Sequence, residues 1–349
     1  MRNMKRIVAL ALVLVMMLGM TGCAQASAQK YTISFFDAFD TITSIIGYAE
    51  SQEVFDRVMN EAREMFRRYH RVYDGYNDYD GVYNLHYVNA HAAEGPVKAE
   101  KELIDLLLWV RDVQPTVNNR VNVALGSVLL VWHNYREAGV AVPPMEELEK
   151  ANQHVNFDHV VIDEENGTIY FTDPGVRLDV GAVAKGYAVE CVSKWLLTSE
   201  VPSFIISAGG NVRCGEKPLD GRARWGVSIQ NPDGMNGEYL DVLYLKETSI
   251  VTSGDYQRYY TVDGQRYHHI IDPDTLYPCS NMRSVTIVTE DSGYADALST
   301  SVFLMPYEEG RQFVESLDGV EAFWVLMDGT IQYTDGLRNV LLSCGASSK

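Results

Sequence analysis

Toward the C-terminal end, Asp296, Ser299 and Thr300 stand at positions i, i+3 and i+4 of a stretch with helical character, Tyr294 to Met305. Residues at that spacing share one helix face, so a carboxylate and two hydroxyl oxygens converge. Oxygen ligands with a single charge suit magnesium, which keeps waters and substrate phosphates in its shell. An ordinary capped helix shows the same three residues. A second cluster, Arg177 to Glu190, ends an apolar run at Asp179 and sets Gly181, Ala182, Ala184 and Gly186 around a helix start carrying Lys185. Small residues let a phosphate or a metal approach the backbone, and free N–H groups in a first helical turn attract anions. The alternative is a tightly packed helix entry with a surface lysine. His268 and His269 are adjacent within Tyr267 to Pro273. Neighbours in a strand face opposite sides, so at most one looks into a given site. A structural histidine is the ordinary reading, since neither HxxxH nor HExxH occurs.

These residues need a frame of alternating strands and helices. A strand is expected over Tyr31 to Ile46 and an amphipathic helix over Ser51 to Tyr69, with Ser51 as N-cap and Val54, Phe55, Val58, Ala62, Met65, Phe66 and Tyr69 on its apolar face. Tyr73 to Asn89, dense in Tyr, Asn, Asp and Gly, reads as a turn-rich loop that either stacks on a planar ligand or is plain surface. Helices follow at Glu100 to Val113, within Thr116 to His133 behind the possible caps Asn118, Asn119 and Asn122, at Met145 to Gln153 and at Ala182 to Leu197. Val160 to Asp163 and Thr168 to Phe171 form a hairpin around Asn166-Gly167. Further strands are Ser203 to Ser207, ending at Gly209-Gly210, then Trp225 to Gln230, Tyr239 to Leu245 and a hairpin at Asp328-Gly329. Ser249 to Tyr256 is a strand entering a Thr-Ser-Gly turn whose hydroxyls and amides suit phosphate. The GxGxxG and GxxxxGK phosphate loops are absent.

The chain starts with Arg2, Lys5 and Arg6 before fourteen apolar residues, Ile7 to Met20, too few to span a bilayer but right for a signal-peptide core. Leu18 to Cys23 resembles the lipobox of bacterial lipoproteins, which makes residues 1–22 a leader, Cys23 the acylated first residue, 23–30 a flexible tether and 31–349 the folded domain. An ordinary secretory signal is the alternative. Removal of the leader leaves 26 basic against 47 acidic residues, a formal charge of −21. Such a surface excludes nucleic acid and polybasic membrane docking as modes of binding, so a lipid has to be the anchor. Cys191, Cys214, Cys279 and Cys344 form no zinc pattern and leave room for one or two disulfides.

Taken in order, Phe39-Asp40-Thr41, YNDYDGVYNL (76–85), LDVGAVAKGYA (178–188), SAGGNVRCG (207–215), VTSGDY (251–256), YHHIIDP (267–273) and DALST (296–300) resemble the ApbE family of FAD:protein FMN transferases across nearly the whole mature chain. The resemblance implies an α/β (α+β) fold with mixed or antiparallel sheets flanked by helices, and an FAD cleft between two subregions. It implies Mg2+ at the pyrophosphate and transfer of FMN from FAD to a Ser or Thr hydroxyl of an acceptor protein, with release of AMP. By motif, Asp296, Ser299, Thr300 and the carbonyl of Ala182 would hold the metal. Phe39, Tyr76, Arg120, Val121, Asn122, Asp179, Lys185, Ser253, Gly254 and Ile270 would touch FAD. His269 would be the general base, because an imidazole accepts a hydroxyl proton at neutral pH. The acceptor would be a flavoprotein subunit of a membrane redox complex, on the extracytoplasmic face of a bacterial membrane where the lipid anchor holds the enzyme.

The chain departs from the family pattern at Asn122, often Asp, at Asn119, often Gly, and at Leu276, where Gly follows the Thr of a DPxTG turn. Loss of the carboxylate removes one FAD contact, and Leu276 should deny its turn the left-handed conformation. Two other functions compete: an FAD pyrophosphatase giving FMN and AMP, and a non-catalytic FAD-binding lipoprotein. Retention of Asp296, Thr300 and His269 counts against the pure binder.

Overall fold

Strands that alternate apolar residues between two faces build the main sheet of this computed structural model, which describes residues 28–234 and 238–349. Its spatial order is β1 (Gln29–Ala38), β2 (Thr41–Ala49), β6 (Phe204–Ala208), β7 (Asn211–Cys214), β10 (Ser249–Gly254), β13 (Met282–Thr289), β14 (Glu321–Leu326) and β15 (Ile331–Tyr333). Every neighbouring pair is antiparallel. A small sheet joins β3 (Val97–Lys98), β5 (Thr168–Phe171) and β4 (Val160–Asp163), and two ribbons pair β8 (Trp225–Gln230) with β9 (Tyr239–Leu245) and β11 (Tyr259–Val262) with β12 (Gln265–His268). The helices are α1 (Gln52–Tyr73), α2 (Leu85–His91), α3 (Lys101–Val113), α4 (Gly126–Ala138), α5 (Met145–Ala151), α6 (Ala184–Leu197), α7 (Ser292–Phe303) and α8 (Tyr307–Glu315).

Period-2 alternation divides the core. Ile45, Phe204 and Ile206 pack with Phe55, Val58 and Phe66 of α1 and with Val189 and Val192 of α6. Val285 and Ile287 pack with Ala295, Leu298 and Val302 of α7 on the same side of the sheet. Their neighbours Tyr48 and Val288 turn the other way, onto Trp225 and Val227 of the β8–β9 ribbon. Each fully buried Phe or Leu contributes about 1.5–3 kcal/mol relative to exposure. The sheet is therefore a floor with α1, α6 and α7 above it, and the chemistry-bearing residues lie along that helical layer.

Several expectations change. The leader, Cys23 and tether residues up to 27 lie outside the described residues, while Gln29 and Lys30, assigned to the tether, belong to β1. The single strand over 31–46 is a hairpin, turned by Phe39 and Asp40 with φ of 56° and 49°. A two-residue turn of that hand favours Asn-Gly, so Phe-Asp carries no recognisable signal. His70 holds it, its Nδ1 accepting the Phe39 N–H at 3.2 Å with the rings edge-on. The Tyr-rich loop is shorter than expected, because α1 runs to Tyr73 and α2 starts at Leu85 behind the Asn84 cap. Ser253 and Gly254 are strand, paired with Val285 and Ser284, not a turn. All four described cysteines are free. Leu276 does adopt the left-handed conformation, φ 61°, and is buried among Leu125, Trp132 and Leu148 with its carbonyl accepting the Trp132 indole N–H at 2.8 Å.

Candidate active site

The close seam between α6 and α7 rests on Gly186. A Cβ there would lie 2.4 Å from Asp296 Cβ and 2.5 Å from the Ser292 carbonyl, so only glycine lets the helices approach this far. The Gly186 N–H donates to Asp296 Oδ2 at 2.7 Å. Gly186 is the third residue of α6, so its N–H is one of those that a helix start leaves without an intrahelical partner. No backbone N–H among the described residues bonds the Ala182 carbonyl, which lies just before the first turn of α6.

Asp296 is buried, which pushes its carboxyl above the usual range, against the opposing pull of Lys185 and the Gly186 N–H. Its Oδ1 and the Thr300 hydroxyl have no hydrogen-bond partner among the described residues. One turn along α7, Ser299 donates to the Asp296 carbonyl at 2.9 Å, so Ser253, 2.8 Å away, must donate to Ser299. A carboxylate oxygen without a donor, a carbonyl without a backbone partner and two hydroxyls match a hard divalent cation such as Mg2+. The donor set fits.

Lys185 follows on α6 and points at the β6–β7 turn, where Nζ donates to the Gly209 carbonyl at 2.9 Å. Burial lowers its pKa and Asp296 opposes that shift. Gly209 and Gly210 turn with φ of 51° and 88°, and a Cβ on Gly209 would strike Thr41 Oγ1 at 2.2 Å. The β1–β2 and β6–β7 turns thus touch at Thr41.

The two histidines divide as strand geometry requires. His268 is buried, donates from Nε2 to the Cys279 carbonyl at 2.6 Å and accepts the Ile270 N–H at Nδ1, a structural role. His269 is half-buried, and its backbone N–H and Nδ1 both meet the Arg258 carbonyl, at 3.1 and 3.2 Å. A carbonyl only accepts, so Nδ1 carries the proton and Nε2 keeps its lone pair. Burial, then the Arg258 guanidinium, lowers the imidazole pKa to about 3, leaving it neutral at pH 7.

A second group gathers at the start of the central motif. Asp179 Oδ1 accepts the Gly181 N–H at 2.8 Å and Oδ2 lies 3.4 Å from the Tyr76 hydroxyl. The half-exposed Tyr76 ring stacks on His133 at 4.4 Å, an aromatic pair suited to extend onto a flat ligand ring. Arg120 is engaged by Asp274 at 2.7 Å and Glu309 at 3.7 Å, and Val121 and Ile270 are buried in the core. Asn122 is held by the fold, donating to the Val155 carbonyl and accepting from the Ala124 N–H. It lines, with Asn119, Arg111 and Asp158, a cavity of about 480 Å³ that none of Lys185, His269 and Asp296 reaches. Gly254 packs against the Tyr256 ring, where a Cβ would sit 2.5 Å away. Direct bonds therefore unite Gly186, Asp296, Ser299 and Ser253, while Arg120, Val121 and Asn122 lie apart from that group. Sequence reasoning missed His133, which looks like one more residue of an apolar helix, and Arg258, whose only signal was its place two residues after VTSGDY.

The sequence model of the ApbE family matches residues 36–324. An FAD:protein FMN transferase of Treponema pallidum is 31% identical over 263 residues, 72% of this chain and 72% of the relative. One of Klebsiella pneumoniae is 29% identical over 239 residues, covering 68% and 73%. The crystal structure of the ApbE protein from Thermotoga maritima superposes with a TM-score of 0.77 at 30% identity, over 88% of this chain and 98% of that one. The flavin transferase ApbE from Vibrio cholerae, TM-score 0.73 over 88% and 97%, has 21% identity and attests the fold alone.

Proposed function

The chain belongs to the ApbE family, and from that premise we propose that this transferase moves FMN from FAD to a Ser or Thr hydroxyl of an acceptor protein, with Mg2+ bound and AMP released. The observation that carries the reading is the seam, where the Gly186 N–H fixes Asp296 Oδ2 and the Ala182 carbonyl stands without a backbone donor. Asp296, Thr300, Ser299 and that carbonyl would hold the ion. Bound there, Mg2+ would offset the charge of the pyrophosphate during nucleophilic attack. The chain's own groups divide the rest. Lys185, fixed by Gly209, adds a second positive charge. His269 Nε2 accepts the proton of the acceptor hydroxyl, in the tautomer set by the Arg258 carbonyl. Tyr76 and His133 offer a stacking surface for a ring of FAD. Asp179 sits beside it.

The leader and the Leu18 to Cys23 motif support a lipid anchor on the extracytoplasmic face, with an acceptor subunit of a membrane redox complex within reach. Fractionation tests this: the protein should enter the membrane fraction and Cys23→Ala should leave it. The reaction is tested by incubating the full chain with FAD, Mg2+ and an acceptor domain, read by intact mass and AMP. An acceptor heavier by one FMN, with equal AMP and only with Mg2+, supports transfer. AMP with free FMN and an unmodified acceptor would favour the pyrophosphatase, and uncleaved bound FAD the binder.

A further inference from the structure

We propose that Arg258 is a further catalytic residue, whose guanidinium grips the phosphoryl group in transfer together with Lys185. The proposal rests on the transfer reading above. Arg258 leads into β11 and approaches the β1–β2 turn, with Nη2 3.4 Å from the Phe39 carbonyl. Lys185 reaches the neighbouring β6–β7 turn at Gly209, and the two turns meet at Thr41. The two cations therefore approach one pair of touching hairpin tips. Arg258 also carries the carbonyl that orients His269, so its side chain leaves the same residue that positions the proton acceptor.

Some arginines of this molecule are matched, Arg120 by Asp274, Arg283 by Asp233 and Asp255, and Arg222 by Asp220, while others, such as Arg177 and Arg266, are not. Arg258 has no carboxylate within 4 Å among the described residues, in a chain of net charge −18. After burial, its charge is what most lowers the His269 pKa, and it lowers that of Lys185 as well, so the three groups share one field. A fork of N–H donors held there, with one weak carbonyl contact, suits the oxygens of a phosphoryl group.

In the step itself the acceptor oxygen bonds to the FMN phosphorus and the bond from that phosphorus to the bridging oxygen breaks. The bridging oxygen keeps the electron pair and leaves with AMP, while the hydroxyl proton passes to His269 Nε2. Arg258 exchanges neither proton nor electrons. It supplies charge and donors where negative charge grows, a type of contact whose removal costs roughly 10²–10³-fold in rate.

The test compares the full-length wild type, Arg258→Ala and Arg258→Lys, measuring kcat and KM for FAD, FAD binding by flavin fluorescence, and thermal unfolding. The His269 tautomer is retained, because its partner is a backbone atom. The expected result for Arg258→Ala is a kcat lower by about 10²-fold or more, FAD binding within a few-fold, unchanged unfolding and partial rescue by added guanidinium; Arg258→Lys should recover part of the rate. An unchanged kcat, or a loss confined to KM, would overturn the assignment. If the wild type cleaves FAD without modifying the acceptor, the transfer reading falls and Arg258 is still judged on AMP release. A wild type that does neither overturns both.

Discussion

Asp296→Asn keeps the shape of the side chain and its bond to the Gly186 N–H while removing the charge. Turnover should fall at least ~100-fold and Mg2+ should no longer raise the melting temperature, measured by calorimetry with and without the ion. The metal-free melting temperature should move little, since relief of the buried carboxylate is opposed by Lys185 losing its counter-charge. Full activity in this variant would sink the metal assignment. At this scale the sequence was informative where spacing imposes geometry: i, i+3 and i+4 put Asp296, Ser299 and Thr300 on one face before any coordinates. It was silent on bonds that depend on two distant segments. Nothing local shows that the Asn122 side chain reaches the Val155 carbonyl, or that the Arg258 carbonyl selects the tautomer of His269.

Between elements, Gly186 decides how near α6 comes to α7. Gly186→Ala should push the helices apart, costing about 1–3 kcal/mol as over-packing does and raising the Mg2+ concentration for half-maximal activity; urea unfolding and a metal titration read the two effects. Leu276→Gly would release a left-handed strain of about 1–2 kcal/mol but delete a buried leucine worth about 2–5 kcal/mol. Net destabilisation is expected by urea unfolding, so the departure from a glycine turn is compensated by packing against Trp132 and Leu148. The amphipathic α1 and the Asn166-Gly167 hairpin were legible because one face is wet and the turn residues are specific. Strand β13 was not, because nearly all its residues are buried and period 2 is erased. The Phe39-Asp40 turn escaped because side chains outside it, His70 above all, hold a conformation its own residues disfavour.

For the whole molecule, pH acts partly through His269. Its folded pKa, about 3, lies below the unfolded value near 6.5, so the unfolded chain binds the extra proton between those limits. Its contribution is intact above pH 6.5 and is lost as the pH falls toward 3. At pH 5.5 the loss is about 1.4 kcal/mol, and the drop in stability from pH 7.5 to 5.5 should be smaller by that amount in His269→Ala; equal drops would refute the assignment. The antiparallel sheet joins segments from Gln29 to Tyr333 in one body, and the α6–α7 seam ties residues 110 positions apart across it. An ion held at that seam bridges parts of the chain that separate on unfolding. Occupancy and global stability then become a single thermodynamic variable: above the dissociation constant, every tenfold rise in Mg2+ should add about 1.4 kcal/mol to unfolding, so a melting curve alone measures the affinity of the site without substrate, acceptor or turnover.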